Sequence, residues 1–177
     1  SSSTSVGSSA VAEGLSSTAS GSGSNATAPA STAVGQGTQA TGAYTVAVGQ
    51  KAQASGTSAA AVGSSSVASG NYSVATGPAS QATGNASVAS GLQAQAKGGS
   101  SVAIGRGAIA SDEYSVALGA NSTTSAAVGT NSATVNGVTY SGFAGTNPTS
   151  TVSVGSAGNE RTITNVAAGR ITPTSTD

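Results

Sequence analysis

The sequence contains no cysteine, histidine, methionine or tryptophan, and it has only one phenylalanine and four tyrosines in 177 residues. An ordinary globular core depends on large apolar and aromatic side chains, which are nearly missing here. The absence of cysteine excludes a disulfide framework, although it does not fix the cellular compartment. Any core must therefore be built from small residues, and 26 glycines indicate an unusual backbone.

Charged residues are scarce and balanced, with five basic and five acidic side chains in the whole chain. Such a chain has no electrostatic footprint for nucleic acid or for an anionic membrane surface, so we expect neither as a partner. No apolar run approaches the roughly 20 residues needed to span a bilayer, and no signal peptide opens the sequence. If the protein is exported or anchored, we expect those parts to lie outside this sequence.

The groups that catalyse reactions or bind metals are also nearly absent. The carboxylates are Glu13, Asp112, Glu113, Glu160 and Asp177, and only Asp112 and Glu113 are neighbours in the repetitive part. Solvated charge at a corner of the fold is the more ordinary interpretation of that pair, with a weak oxygen site for a metal as the alternative. We therefore expect a protein without enzymatic activity and without a cofactor.

The information in this sequence lies in a repeat. Every multiple of seven from position 7 to position 119 is glycine, except Ala28 and Asp112. The residues between the glycines alternate in character, so the unit is 14 residues with two unequal halves, such as 45–49 (TVAVG) and 52–56 (AQASG). Glycine at a fixed period is typical of tight corners, and such a repeat indicates a solenoid.

Each half has four residues of period-2 alternation, followed by a corner of about three residues that contains glycine. This pattern predicts two short β-strands per 14 residues, stacked turn upon turn as an all-β parallel solenoid. A seven-residue helical repeat is the rival interpretation. It is disfavoured because glycine at every seventh position, with Ser, Thr and Val between, makes a poor helix.

The alternation also predicts which side chains face inward. The first and third residues of every half from Ser3 to Ala117 are Ser, Ala or Thr at all 34 positions, as the narrow interior of a two-stranded coil requires. The second and fourth residues point outward. There, 11 of 18 are Val, Ile or Leu in one type of half, but only three of 16 in the other. One sheet should therefore present an aliphatic stripe and the opposite sheet a polar surface.

An aliphatic stripe of this length calls for a partner, and the simplest partner is the same stripe on another copy of the chain. Burial of one valine side chain contributes roughly 1.5 kcal/mol or more, and the Ala and Ser interior contributes less per residue. We therefore expect folding and oligomerisation to be coupled. The residues expected at this interface are Val46, Val48, Val62, Val74, Val88, Val102, Ile104, Val116 and Leu118.

The repeat breaks after Gly119. The next copy of the phrase, 125–129, arrives ten residues later instead of fourteen, and 133–140 reads as two short strands around an Asn-Gly turn. We interpret 120–150 as an insertion that redirects the chain. Phe143 or Tyr140 is expected to plug the end of the solenoid.

Three tyrosines, Tyr44, Tyr72 and Tyr114, each precede an aliphatic strand by one residue, so they are expected on one edge of the solenoid. Exposed tyrosine is a good contact residue, which makes these three the candidate ligand contacts. The alternative is that they shield corners or neighbouring chains.

These motifs resemble the YadA-like head domains of trimeric autotransporter adhesins. The phrases at 101–105 (SVAIG) and 115–119 (SVALG) resemble the 14-residue head repeat of that family, and 151–155 (TVSVG) with 160–169 (ERTITNVAAG) resembles its neck. The resemblance divides the chain into head repeats at 1–129, a head insertion at 130–150 and a neck at 151–177. Glu160 and Arg161 are the expected polar contacts of the neck.

The resemblance implies a left-handed parallel β-roll, three copies of which form a homotrimeric head, followed by a neck that leads to a coiled-coil stalk. It further implies a place on the bacterial cell surface, with an outer-membrane anchor outside this sequence. The implied partners are host extracellular matrix proteins or cell-surface receptors.

The sequence thus predicts a non-enzymatic adhesin head whose repeated surface gives multivalent attachment to host matrix or cells. A structural spacer that projects a more distal binding tip, without its own ligand, is the alternative. An ice- or surface-binding solenoid is a third class, but it requires a regular threonine array, and the outward residues of the polar sheet are mixed Gln, Ser and Thr.

Overall fold

The fold was taken from a computed structural model that describes residues 2–169, and within them every regular element is a β-strand. The strands are β1 (Thr4–Val6), β2 (Val11–Ala12), β3 (Thr18–Ser20), β4 (Asn25–Ala26), β5 (Thr32–Val34), β6 (Gln39–Ala40), β7 (Val46–Val48), β8 (Gln53–Ala54), β9 (Ala60–Val62), β10 (Val67–Ala68), β11 (Val74–Thr76), β12 (Gln81–Ala82), β13 (Val88–Ser90), β14 (Gln95–Ala96), β15 (Val102–Ile104), β16 (Ile109–Ala110), β17 (Val116–Leu118), β18 (Ser132–Val135), β19 (Val138–Ser141) and β20 (Val152–Ser153).

The strands stack into two parallel sheets. Sheet A contains the odd-numbered strands β1 to β17 in order and ends with β20, whereas sheet B contains the even-numbered strands β2 to β16. Each 14-residue turn adds one strand to each sheet, so that Val74 pairs with Val88 in sheet A and Gln81 with Gln95 in sheet B. Neighbouring turns therefore lie about 4.8 Å apart, and the all-β parallel solenoid predicted from the sequence is confirmed.

The core is a column of alanine, serine and threonine between the two sheets. Every predicted inward position from Ser17 to Ala117 is no more than 1% exposed, and the largest of these side chains is threonine. Ser3 and Ser5 are exposed instead, and Ala10 and Ala12 are half-buried, because no described turn covers their outer side. The prediction of a narrow interior lined by small residues is confirmed.

Buried hydroxyl groups are compatible with this core because the corner beside them offers an acceptor. The Ser31 hydroxyl donates to the Ala28 carbonyl at 2.6 Å, and the Thr45 hydroxyl donates to the Gly42 carbonyl at 2.7 Å. A side chain at the start of a strand thus reaches the carbonyl three residues earlier. Most of the other hydroxyl groups in the core are paired in the same way, whereas those of Ser17, Ser73, Ser87 and Ser101 have no hydrogen-bond partner among the described residues.

The glycine period follows from close contact between successive corners. Gly49 has φ +124°, and a Cβ added there would lie 2.7 Å from the carbonyl carbon of Gly63 in the next turn. Only glycine combines that dihedral angle with that approach. Asp112 departs from the pattern at the last corner after sheet B, beyond which that sheet has no further strand within residues 2–169.

After β17 the chain leaves the solenoid, forms a hairpin and returns to sheet A. Strands β18 and β19 pair antiparallel around Asn136 and Gly137, whose φ values are +50° and +80°, as a two-residue hairpin turn requires. Strand β20 then pairs with β17, with Val152 beside Val116. The two strand pieces around the Asn-Gly turn are therefore confirmed.

The prediction that Phe143 or Tyr140 plugs the end of the solenoid is wrong. Both side chains are exposed, Phe143 at 40% and Tyr140 at 53%. The physical reason is the width of the interior, which holds nothing larger than threonine in any turn between Ser17 and Ala117. An aromatic ring cannot enter it, so the end is closed in another way.

Candidate interaction surfaces

The aliphatic residues predicted at an interface all lie on the outward side of sheet A. The strand register brings four of them into one row, Val74, Val88, Val102 and Val116. A second row places Val48 beside Val62 and, further along, Ile104 beside Leu118. Val46 lies between Thr32 and Ala60 in the first row. The structure thus groups the nine residues into two adjacent rows on one face.

This face is accessible in the single chain. Val46, Val62, Ile104 and Leu118 are between 40% and 47% exposed, and the other five residues are half-buried by their neighbours within the sheet. Thr76 and Ser90 interrupt the second row between Val62 and Ile104. An apolar surface of this extent usually marks a site of protein association. The structure contains one chain, so the use of this face between copies stays a prediction.

The three candidate contact tyrosines lie on one edge of the solenoid, at the corner that leads from sheet B to sheet A. Their side chains are 61–66% exposed. Tyr44 and Tyr72 are two turns apart, about 10 Å, and Tyr72 and Tyr114 are three turns apart, about 14 Å. The backbone amide of each donates to the preceding turn, as from Tyr72 to the Thr57 carbonyl at 2.8 Å. The rings therefore project from a regular, hydrogen-bonded backbone.

All three tyrosines occupy the left-handed region, with φ between +59° and +60°. A bulky residue with this φ is uncommon because its Cβ crowds the backbone. The corner itself imposes the angle, since the equivalent residues of other turns also have positive φ, namely Ser16, Ala30, Ser58, Ala86 and Ser100. Tyrosine is thus placed on this edge at a conformational cost that small residues bear more easily.

Two asparagines on the same edge were not singled out from the sequence. The Asn71 side-chain oxygen accepts a hydrogen bond from the Thr57 amide at 2.9 Å, and the Asn85 side-chain oxygen accepts one from the Asn71 amide at 3.1 Å. They flank Tyr72 and connect three successive corners. The sequence pattern that could have identified them is their spacing, because the two asparagines are 14 residues apart and each precedes a residue in the left-handed region by one position.

Sheet B presents the predicted polar surface. Gln39 lies beside Gln53, and Gln81 beside Gln95, in one outward row. Val67 interrupts the row between these pairs. At the corner after sheet A, the Gln50 side chain donates to that of Gln36 at 2.9 Å. The surface offers amide and hydroxyl groups in a spacing set by the turns, about 4.8 Å.

Arg161 lies across the end of the solenoid. Its Nη1 donates to the Ser122 hydroxyl at 3.0 Å and to the Val154 carbonyl at 2.5 Å, and its Nη2 donates to the Ala120 carbonyl. The side chain therefore joins the last solenoid corner to the segment that follows β20. Arg161, one of the two residues expected to make polar contacts in the neck, thus makes three hydrogen bonds.

Glu160, the other expected polar contact, points away into a local turn. Its own backbone amide and the Gly158 amide, which donates to the carboxylate at 2.8 Å, hold the pKa of Glu160 below its ordinary value of 4.5. The carboxylate is fully exposed. Glu160 and Arg161 are therefore sequence neighbours with separate partners.

A groove of about 470 Å³ lies beside Arg161, between the last solenoid corner and the segment around β20. Its walls are lined by Thr123, Thr151, Val152, Ser156 and Glu160, among others. No helix in 2–169 is long and apolar enough to cross a membrane. In the same range, no three carboxylate, histidine or cysteine groups converge on a possible metal position.

The fold and these surfaces define a class of protein: a parallel β-solenoid with 14-residue turns, glycine corners, one aliphatic face and one polar face. The family model of the YadA head domain repeat (two copies) matches residues 1–24, 26–52, 54–80, 68–94, 82–108 and 96–122. These matches cover more than half of the chain. The protein belongs to the YadA head repeat family, and the resemblance recognised in its motifs is confirmed.

The chain is also similar to individual known proteins. The autotransporter adhesin BtaE of Brucella suis biovar 1 (strain 1330) is 60% identical over 58 residues, which are 33% of this chain and only 8% of that protein's length. The collagen-binding domain of the Yersinia adhesin YadA has a TM-score of 0.68 at 27% identity, covering 99% of this chain and 81% of the other. The C-terminal YadA-like domain of a Burkholderia pseudomallei protein is 63% identical, with coverages of 46% and 37% and a TM-score of 0.42.

Proposed function

We propose that this YadA-like head is the non-enzymatic binding part of a bacterial surface adhesin, displayed outside the outer membrane, which attaches the cell to host extracellular matrix or host cells. The observation that carries the proposal is the similarity over 99% of the chain to the collagen-binding domain of a Yersinia adhesin. The relationship to an autotransporter adhesin of Brucella suis supports it. The match covers 8% of that relative's length, so the activity and the surface anchoring of the whole protein are part of this proposal.

The proposed assembly is a homotrimer of left-handed rolls, packed through the aliphatic face of sheet A. The two aliphatic rows support it, because several of their side chains are more than 40% exposed in one chain. We divide the chain into head repeats at 1–129, an insertion at 130–150 and a neck at 151–177 that leads to a coiled-coil stalk. Residues 170–177 of this neck lie outside the described residues.

The proposed ligand contacts are Tyr44, Tyr72 and Tyr114. Their support is exposure above 60% on one edge and a left-handed backbone that disfavours tyrosine. In a trimer this edge would occur three times, so that contacts which are weak singly would act together. If the rings shielded the corners of their own chain, they would be less exposed than they are. If they are covered instead by a neighbouring chain, the following experiment distinguishes that role from ligand binding.

The test is solid-phase binding of the purified chain to immobilised collagen, fibronectin and laminin. The variant Y44S/Y72S/Y114S carries the residue found naturally at Ser16, Ser58 and Ser100, so its corners should fold normally. We expect its half-saturation concentration to rise about tenfold or more, which corresponds to a loss of about 1.4 kcal/mol or more of binding free energy from the three tyrosines together. The matched control Q53S/Q81S/Q95S changes three residues of the polar face and should bind like the parent.

Three results would contradict parts of the proposal. Unchanged binding of a folded tyrosine variant would remove these residues from the binding site. Loss of the oligomer in that variant, measured by sedimentation, would assign them to contacts between chains. Failure of the parent chain to bind any of the three proteins would favour the spacer over the adhesin.

A further inference from the structure

The end of the solenoid leaves backbone carbonyl groups without the partners that every earlier turn provides. At the corner after sheet A, the carbonyl of each turn accepts a hydrogen bond from the amide fifteen residues later. Eight such bonds run from Gly23 to Ser8 through to Asn121 to Arg106, at 2.8–2.9 Å. Ala120 is the ninth carbonyl of this column. Its expected donor would be residue 135, which lies in the β18–β19 hairpin instead.

The Arg161 side chain supplies the missing donor, because its Nη2 donates to the Ala120 carbonyl. Its Nη1 at the same time donates to the Val154 carbonyl at 2.5 Å. The guanidinium group therefore makes the bond of a further turn while holding the segment that follows β20.

A second carbonyl loses its donor at the same place. In each earlier turn, a strand carbonyl of sheet A accepts from the corner glycine of the next turn, as Ile104 does from Gly119 at 2.7 Å. The donor for Leu118 would be residue 133, which is also in the hairpin region. The Ser122 hydroxyl donates to the Leu118 carbonyl at 2.8 Å instead.

Ser122 behaves differently from its counterparts in earlier turns. The hydroxyls of Ser66 and Ser80 donate to the corner glycine three residues before, at 2.9 Å and 2.8 Å. Ser122 has exchanged that acceptor for Leu118, four residues before, and its oxygen accepts a hydrogen bond from Arg161 Nη1 at 3.0 Å. Arg161, Ser122 and Leu118 thus form a short chain of hydrogen bonds across the end.

The space above the last corner gives an independent indication. A Cβ added to Gly105 would lie 2.5 Å from the carbonyl carbon of Gly119 in the following turn. A Cβ added to Gly119 would instead meet Arg161, at 3.4 Å from Nη1 and 3.5 Å from Cζ. The guanidinium group lies where the backbone of another turn would stack.

We propose that Arg161 is the end cap of the solenoid, a side chain that substitutes for the missing turn and locks the segment after β20 onto the last corner. The planar guanidinium suits this role because it donates in several fixed directions, which a lysine ammonium does not. The cap also reinforces a weak junction, since β20 pairs with β17 through only two residues.

The test is amide hydrogen exchange of the 177-residue chain and its R161A variant. The reporting amides are Val116, which donates to Thr151, and Thr123, which donates to Gly155. We expect both to exchange about tenfold faster or more in R161A, because hydrogen bonds from a charged donor are lost. Tyr72 and Ala79, in the middle of the solenoid, should not change. R106A is the matched control, as Arg106 occupies the same corner one turn earlier, and it should exchange like the parent.

Two further variants test the chemistry. R161K should behave like R161A, since an ammonium group cannot bridge these acceptors together, and S122A should add little to R161A because both remove the same network. Unchanged exchange at Val116 and Thr123 in R161A would overturn the proposal. Faster exchange in all turns alike would also overturn it, because the effect would not be that of a local cap. If R161K exchanged like the parent, a positive charge alone would be sufficient, and the proposed role of the guanidinium geometry would be wrong.

Discussion

At the scale of the residue, the most informative feature is a bulky side chain in an unfavourable conformation. Tyr44, Tyr72 and Tyr114 have φ near +60° and remain more than 60% exposed. Neither burial nor backbone preference therefore explains them within one chain. Strain of this kind commonly accompanies a functional position, which agrees with the proposed ligand contacts.

Replacement of Tyr72 by asparagine should stabilise the chain while it weakens binding. Asparagine tolerates the left-handed region better than tyrosine, so we expect a gain of roughly 1 kcal/mol in the free energy of unfolding. Thermal unfolding measures it. S58N is the control, as Ser58 has φ +55° in the same corner position, and it should gain less, because serine bears this angle more easily than tyrosine. A destabilised Y72N would show that the ring makes stabilising contacts.

The Glu160 carboxylate should titrate below its ordinary pKa of 4.5 because two backbone amides bind its charged form. A lowered pKa means that the carboxylate stabilises its turn fully above pH 4.5, and that this contribution is lost as the pH falls through the lower value in the folded chain. An NMR titration that follows the Glu160 carboxyl and the Gly158 amide measures it. In E160Q the pH dependence of the Gly158 amide should disappear. A Glu160 pKa at or above 4.5 would contradict the role of the amides.

At the scale of the element, a turn depends on two kinds of glycine that look alike in the sequence. Gly49 has φ +124° and contacts the next corner closely, whereas Gly23 has φ +65° and has no atom within 4 Å of an added Cβ. The close contact recurs at multiples of seven, with a positive φ at the corners after sheet A and without one at the corners after sheet B, such as Gly56. The period of the glycines is therefore a consequence of stacking between corners more than of turn conformation alone.

Alanine should accordingly be tolerated at one glycine and not at the other. G49A should lower the free energy of unfolding by about 3 kcal/mol or more, because a strained φ adds to a clash with backbone atoms. G23A should cost about 1 kcal/mol, the ordinary penalty of the left-handed region. Chemical denaturation of the two variants measures the difference. Equal losses would show that conformation and not stacking sets the glycine period.

At the scale of the whole molecule, the two faces of the solenoid have different chemistry although they share one repeat. The interior is confined to small side chains between Ser17 and Ala117, so the larger apolar groups can lie only outside. On sheet A they form two rows, and on sheet B polar groups replace them. In the proposed trimer, the aliphatic face would pack against other copies while the opposite face and the tyrosine edge would remain accessible.

Placing charge on the aliphatic face should prevent folding or cause aggregation. Val102 and Val116 are adjacent in one row, and V102D/V116D would bury two carboxylates in the proposed trimer interface, at a cost of several kcal/mol. Circular dichroism and sedimentation measure the outcome, with the parent expected at three times 16.2 kDa. Q81D/Q95D, an adjacent pair on sheet B, should stay folded with the parent's mass. A soluble, folded V102D/V116D monomer would contradict the coupling of folding to assembly.

The sequence by itself determined the solenoid, its two sheets and the side on which each repeat residue lies. These properties are periodic, and a period of two within a period of fourteen specifies strand, corner and orientation without reference to distant residues. The repeat alone thus predicted that Val102 faces outward and Ala103 inward. It also predicted that Tyr44 and Tyr72 lie on the same edge.

Only the tertiary structure decided how the solenoid ends. The aromatic residues near the break were expected to close it, but closing it required hydrogen-bond donors for the Leu118 and Ala120 carbonyls and not a large apolar group. Arg161 donates to the Ala120 carbonyl across 41 residues of sequence. Ser122, whose hydroxyl oxygen accepts a hydrogen bond from Arg161, donates to the Leu118 carbonyl. No periodic pattern encodes such a contact, because it depends on where the hairpin and β20 return the chain.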